Sequence, residues 1–212
     1  MNSQKNRSLS KKQIPNISSK GVASTPLNTP YLIGKKIFLS PFTRRHLEDP
    51  IYMKWMNDLT ITSQLALGDY VMPVTFEQLD AYYSKNGLSR NAVFFAVHEK
   101  KTNRFIGTAK LAHIDWLTRS GEFGRVIGEK SAQGKGYGTE IISLILDYAF
   151  STLNLNKVSA GTHTENKAAL KTYEKFNFMI EGRIRQACYT AGKLTDVIRV
   201  GILRSEWWKT TS

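Results

Sequence analysis

Three glycines at alternate positions, in Gln133-Gly134-Lys135-Gly136-Tyr137-Gly138-Thr139, separate a strand candidate at 122–127 from a long amphipathic segment at 136–152. No other stretch of the chain restricts the fold so tightly. Alternating glycines let the backbone turn through left-handed conformations and leave its amides open to approach. The segment that follows places Tyr137, Ile141, Leu144, Ile145 and Tyr148 at i, i+4, i+7, i+8 and i+11, a single apolar stripe that predicts a helix. Amides at the head of such a helix, together with its positive dipole end, form an anion cradle fitted to a pyrophosphate. The spacing departs from the two common nucleotide loops. A P-loop needs four residues between its first Gly and Gly-Lys-Ser/Thr, and a dinucleotide fingerprint reads G-x-G-x-x-G where this chain has G-x-G-x-G. On spacing alone the loop is either an anion cradle or an ordinary glycine-rich turn.

The elements around it define a fold class. Residues 37–39 read as a short strand. Thr43 caps a helix predicted to run to Asn57. Thr75 with Gln78 forms a capping box that opens a helix through Tyr82 and Tyr83, broken at Asn86-Gly87. Strands are predicted at 92–97, 104–114, 122–127, 157–162, 180–189 and 193–203. A helix is predicted at 166–176, with Ala169, Leu170, Tyr173 and Phe176 inward, and Ala191-Gly192 marks a hairpin. This order implies an α/β (α+β) fold, a mixed sheet with helices packed on it.

Charge narrows the function classes. The 212 residues carry a formal net charge of +13, yet Glu48 is the first carboxylate, and nine Lys/Arg precede it. Thus +9 of the +13 lies before Glu48, and the rest of the chain holds only +4. Residues 1–30 are rich in Ser, Asn and Lys, lack aromatics and contain Pro15, Pro26 and Pro30, so they are expected to be a disordered basic N-terminal tail, with one folded domain over 31–212. The tail is either a solvated arm or one that touches phosphates. The single cysteine, Cys188, excludes an intrachain disulfide, and the four scattered histidines show no metal-ligand spacing, so no metal is expected. With no apolar run of about 20 residues and no secretory-type leader, a cytoplasmic location is expected.

In its context the glycine loop resembles the acetyl-CoA signature Q-x-x-G-x-G of the GNAT N-acetyltransferase superfamily. A second segment agrees: Asn166, Ala169, Tyr173-Glu174-Lys175-Phe176-Asn177-Phe178 and Glu181-Gly182 resemble the family's N-x-x-A-x-x-x-Y-x-K-x-G-F…E-G. Trp55-Met56-Asn57-Asp58, Ile106-Gly107, Ile114-Asp115, Ile127-Gly128 and the terminal 201–207 stretch are similar to the RimJ/RimL-like branch, and the resemblance covers residues 31–208. Asn177 stands where the family has Gly, and Asn is the next most tolerant residue at a left-handed cap.

The resemblance implies a GNAT fold: a central mixed sheet of about six to seven strands flanked by about four helices, splayed between strands 4 and 5. Acetyl-CoA would lie in the splay. Backbone groups of Val126, Ile127 and Gly128 would bond its pantetheine as an added strand, amides of Gln133, Gly134, Lys135, Gly136, Tyr137, Gly138 and Thr139 would hold its pyrophosphate, and Lys135 would add a charge. Asn166 would orient the pantetheine or serve as a plain helix cap. Tyr173 matches the family tyrosine that protonates the departing sulfur; its alternative is a core aromatic. For the base, Glu122 comes first, then His163, with Asp115 third and a water chain an open alternative. Acceptor contacts are expected from Trp55, Asn57, Asp58, Asp69 and Tyr70, with helix capping the competing role for Asn57 and Asp58.

The expected activity is direct acetyl transfer from acetyl-CoA to a primary amine. A small molecule such as a nucleotide-linked amino sugar or a polyamine is favoured over a protein N-terminus. Ribosomal-protein N-terminal acetylation is the alternative within the class. A non-catalytic acyl-CoA binder, or a ribosome- or RNA-associated protein using the basic tail, is the alternative outside it. No basic partner for Cys188 is visible, which disfavours an acetyl-cysteine route. No membrane partner is expected, nucleic acid is disfavoured, and a homodimer is left open.

Overall fold

The computed structural model describes residues 28–65 and 72–211. Most of the predicted tail, along with Asp69 and Tyr70, lies outside the described residues.

Eight strands form one sheet: β1 (Leu32–Ile33), β2 (Ile37–Pro41), β3 (Val93–Glu99), β4 (Phe105–Asp115), β5 (Ser120–Ile127), β6 (Lys157–His163), β7 (Met179–Thr190) and β8 (Lys193–Leu203), in the order β1-β2-β3-β4-β5-β6-β8-β7. The strand beyond the expected six to seven is β1, two residues long and paired to β2 through Leu32↔Leu39 and Ile33↔Phe38. Every neighbouring pair is antiparallel except β5–β6. The β7–β8 turn falls at Ala191-Gly192, with φ of 50° and 80°, the left-handed pair that a tight hairpin requires.

Strand alternation sorts side chains onto two faces. On β3, Phe95 and Val97 join the core under α5 (Tyr137–Asp147), α6 (Lys167–Lys175) and α7 (Arg204–Thr211). Phe94 and Ala96 join the opposite layer, covered by α1 (Arg44–Leu47), α2 (Pro50–Met56), α3 (Leu59–Thr62) and α4 (Phe76–Gly87). The helix expected from Thr43 to Asn57 is in fact two. Thr43 caps only α1, and α2 restarts with Pro50 in its first turn behind Asp49, whose carboxylate accepts from the Ile51 amide at 3.0 Å. Proline has no N–H to continue a helix but fits the first turn. Asn177, at φ 56°, occupies the left-handed position after α6.

The α1–α4 layer buries two histidines. The Thr43 amide donates to His46 Nδ1 at 3.0 Å, His98 Nε2 lies 3.0 Å from Ser40 Oγ, and the rings sit 5.5 Å apart. Burial is the main cause that lowers the pKa of each to about 4, and at His98 the neighbouring His46 contributes to the fall.

β5 and β6 pair only through Ser120↔Lys157, Gly121↔Val158 and Glu122↔Ser159, then diverge. These are the strands counted fourth and fifth from sequence; β1 shifts the numbering by one. Beyond Glu122 the sheet is open, and the site lies in that gap.

Candidate active site

A cavity of about 280 Å³ passes through the gap. Glu122, Gly124 and Val126 of β5 line it from the α1–α4 face, joined by Thr108, Lys110 and Ala112 of β4, which pair across from them. Tyr52, Met56, Tyr82 and Phe94 wall that side. Phe123 and Arg125 of β5, with Ala168, Ala169 and Tyr173 of α6, line the other.

Glu122 is held from two directions. Arg199 Nη1 donates to its Oε1 at 2.8 Å, and His113 Nδ1 lies 3.1 Å from its Oε2. Arg199 belongs to β8 and reaches Glu122 across β6 because Gly161 is its pairing partner there. A Cβ at position 161 would stand 3.0 Å from the guanidinium. Burial pushes the Glu122 carboxyl up, but the hydrogen bond and charge of Arg199, with His113, outweigh it and hold the group below its ordinary value.

Tyr173 is buried against Phe178, with ring centroids 5.2 Å apart, and the Arg125 guanidinium lies 6.0 Å from its ring centre. Burial raises the phenol pKa and the Arg125 charge offsets part of the rise, so the phenol keeps its proton at neutral pH. The Arg125 side chain runs beneath the first turn of α5; a Cβ at Gly138 would come within 3.1 Å of its Nε.

At the head of α5, Gly134 and Gly136 adopt φ of 73° and 84°, and a Cβ at either would meet nothing within 4 Å. Packing therefore does not demand glycine there; backbone conformation and an open approach do. Gln133 Nε2 donates to the Ile127 carbonyl at 3.1 Å, tying the loop to the end of β5, and the Tyr137 hydroxyl donates to Glu99 at 2.5 Å, fixing the start of α5 to β3. A second hollow beside the loop is lined by Lys35, Lys36, Lys100 and Lys101, with Glu99 and Tyr137. The buried Arg125 Nη1 has no hydrogen-bond partner among the described residues. An open amide loop, a lysine-rich hollow and a guanidinium with one nitrogen left without a partner among the described residues, the other terminal one reaching Thr172 Oγ1 at 3.4 Å, fit a polyanionic cofactor such as acetyl-CoA.

Several sequence-derived positions fall elsewhere. His163, expected at the cleft mouth, is 1% exposed and does not line the cavity; burial lowers its pKa, as the charged ring would be desolvated. Trp55 is a core side chain, 4.9 Å from the Phe105 ring and pressed on Gly128, where a Cβ would stand 2.0 Å from the indole. The Gly128 amide itself donates to the Ile106 carbonyl. Asn57 brackets Val74, accepting from its amide at 2.8 Å and donating to its carbonyl at 3.0 Å. Asp58 caps α3 and pairs with Lys130 at 2.9 Å; its hydrogen bonds from Thr60, then Lys130, lower its pKa to about 2. Asp115 accepts from the Leu117 and Thr118 amides in a turn. None of these four lines the cavity. Asn166 does, and its Oδ1 caps α6 at the Ala169 amide (3.0 Å) while its Nδ2 donates to the Gln64 carbonyl (3.1 Å).

Lys110, Arg125 and Arg199 went unnoticed in the sequence. The available signal was a lone cation inside each of three apolar strands, a placement that is costly unless a partner or a ligand waits for it. Among the described residues no group of three His, Cys, Asp or Glu is placed to hold a metal ion, and no helix is long and apolar enough to cross a membrane.

A sheet parted between two parallel strands, an amide cradle heading the intervening helix and a protonated phenol beside the gap define an acyl-CoA-dependent acyltransferase. The model of the acetyltransferase (GNAT) domain matches residues 36–179. The spermidine N(1)-acetyltransferase of Vibrio cholerae is 34% identical over 133 residues, covering 63% of this chain and 76% of that protein. The Escherichia coli (strain K12) spermidine N(1)-acetyltransferase is 28% identical over 159 residues, covering 71% and 83%. The crystal structure of the Vibrio cholerae spermidine enzyme with CoA and spermine superposes with a TM-score of 0.72 at 29% identity, covering 82% of this chain and 98% of that one. The chain belongs to the GNAT acetyltransferase family and is an acetyl-CoA-dependent N-acetyltransferase. The relatives named are spermidine enzymes, so they carry the superfamily and not the RimJ/RimL-like branch.

Proposed function

We propose that the protein transfers an acetyl group from acetyl-CoA directly to the primary amine of a small molecule. The observation that carries this reading is the cavity itself, which joins Glu122 on one face of the sheet to Tyr173 on the other through the β5–β6 gap. Acetyl-CoA supplies an activated acyl group, and its pantetheine would take the place of the missing strand beside β5, between the loop amides and Arg125. On the opposite face Glu122 receives the amine, by accepting its hydrogen bond or its proton through water. Tyr173 lines the cavity and holds a proton on a phenol that burial keeps neutral, which it would give to the departing sulfur. Cys188 is buried on β7 and does not line the cavity, which supports direct transfer over an acetyl-cysteine route.

A thiol-release assay over amino sugars, polyamines and N-terminal peptides tests the reading. Turnover with a small amine above that with peptides supports it. Tyr173→Phe should lower kcat by about 10²-fold or more at unchanged acetyl-CoA affinity; wild-type turnover in that variant would remove the acid from Tyr173.

A further inference from the structure

On β4 the cavity-lining residues Thr108, Lys110 and Ala112 alternate, as a regular strand requires. His113 comes next and on such a strand would turn to the opposite face. It lines the cavity instead. The β4–β5 register shifts between Ala112 and Asp115, His113 adopts φ of 51°, and Ile114 joins the same core as Leu111, three residues earlier. His113 is therefore the extra residue of a β-bulge, a device that re-aims a side chain beside a site. Its left-handed φ is uncommon outside glycine, though less so for histidine. What the bulge achieves is one contact: His113 Nδ1 lies 3.1 Å from Glu122 Oε2.

Burial favours a protonated Glu122, but Arg199, donating to Oε1 at 2.8 Å, keeps the carboxyl ionised together with His113. An ionised carboxylate only accepts, so Nδ1 carries the hydrogen and the neutral ring has its lone pair on Nε2. A carboxylate so held is a weak base for an amine, whereas an imidazole takes and returns protons near neutral pH. The His113 side chain is 73% exposed, so a proton it takes can pass on to water. We propose that His113 is the catalytic base of the transfer, oriented through Nδ1 by Glu122. This rests on the acetyl-transfer reading above and names the group that takes the amine's proton. The lone pair of a neutral amine forms the C–N bond to the thioester carbonyl carbon, and the nitrogen's proton passes to Nε2. The C–S electron pair leaves on sulfur, which takes the phenol proton of Tyr173. Water returns the imidazolium's proton to the phenolate, so amine and acetyl-CoA become amide and CoA. Glu122 stays ionised throughout and faces the imidazolium while it is charged.

The test measures thiol release by the full chain with glucosamine, spermidine and an N-terminal peptide, and takes forward the amine turned over fastest. His113→Asn suits the left-handed backbone but cannot take the proton, so kcat should fall about 10²-fold or more. His113→Gly opens a gap to solvent, and imidazole added to that variant should restore turnover and saturate. Glu122→Gln in the same background should abolish the rescue, because the added ring is no longer oriented. Acetyl-CoA affinity by calorimetry and the circular dichroism spectrum should match wild type in each variant. Wild-type kcat in His113→Asn, a loss in His113→Gly that imidazole leaves unmoved, or a rescue indifferent to Glu122→Gln overturns the inference while acetyl transfer stands. Acetyl-CoA bound by wild type with no thiol released from any amine overturns the acetyl-transfer reading and this inference together.

Discussion

The buried pair His46 and His98 should make the α1–α4 layer sensitive to acid. Each imidazole titrates near 6.5 in an unfolded chain and near 4 in the folded one. Between those values the unfolded state binds more protons, so stability is full above the unfolded pKa and falls as pH drops towards the folded pKa. Between pH 7.5 and 5.5 each residue should remove about 1 kcal/mol, about 2–3 kcal/mol for the pair taken as independent, with a limit of about 3 kcal/mol per residue below the folded pKa. Against a typical total of about 5–15 kcal/mol, that is a large share. Urea unfolding at the two pH values measures it. Replacing either residue, as His98→Gln or His46→Gln, should roughly halve the difference between them, whatever the variant's stability at pH 7.5. A difference that is the same in wild type and both variants would refute the argument. Because this layer supplies Tyr52, Met56, Tyr82 and Phe94 to the cavity, activity at acid pH should be lost together with the near-ultraviolet dichroism of the aromatics.

Gly136→Val should sharply reduce acetyl-CoA affinity by calorimetry. The new Cβ meets no protein atom, so the fold should lose only about 1–2 kcal/mol from the left-handed backbone. Gly128→Ala must displace Trp55 and should cost about 1–3 kcal/mol in urea titrations. Asn166→Ala removes the α6 cap and the tether to Gln64, so a loss of about 1 kcal/mol is expected, along with a higher KM for acetyl-CoA.

Local chemistry was legible in the sequence where neighbouring residues decide it. The glycine loop, the α5 stripe, the Asn166 cap, the Thr75–Gln78 box and the Ala191-Gly192 hairpin all rest on spacings of a few residues. Pro50 was equally legible as a helix start, though an apolar run through 43–57 masked it. What spacing does not encode is which residue fills another's missing side chain. Trp55 reads as an acceptor-contact candidate until Gly128 is seen beneath it. Arg199 reads as a strand cation until Gly161 lets it cross. Glu122 was visible as a carboxylate near the gap, but its two partners come from β4 and β8, 9 and 77 residues away.

The Arg199–Glu122 contact also bears on the shape of the cleft. The sheet is two plates pinned at one end by three residue pairs, with Arg199 as a strut from β8 to Glu122 on one face. Where the two strands part, the reach of an arginine and the planar fork at its tip space β8 from Glu122. A lysine at position 199 would preserve the charge but replace a rigid spacer with a flexible one. Arg199 bears on cleft geometry and on charge at once, so a substitution there disturbs both.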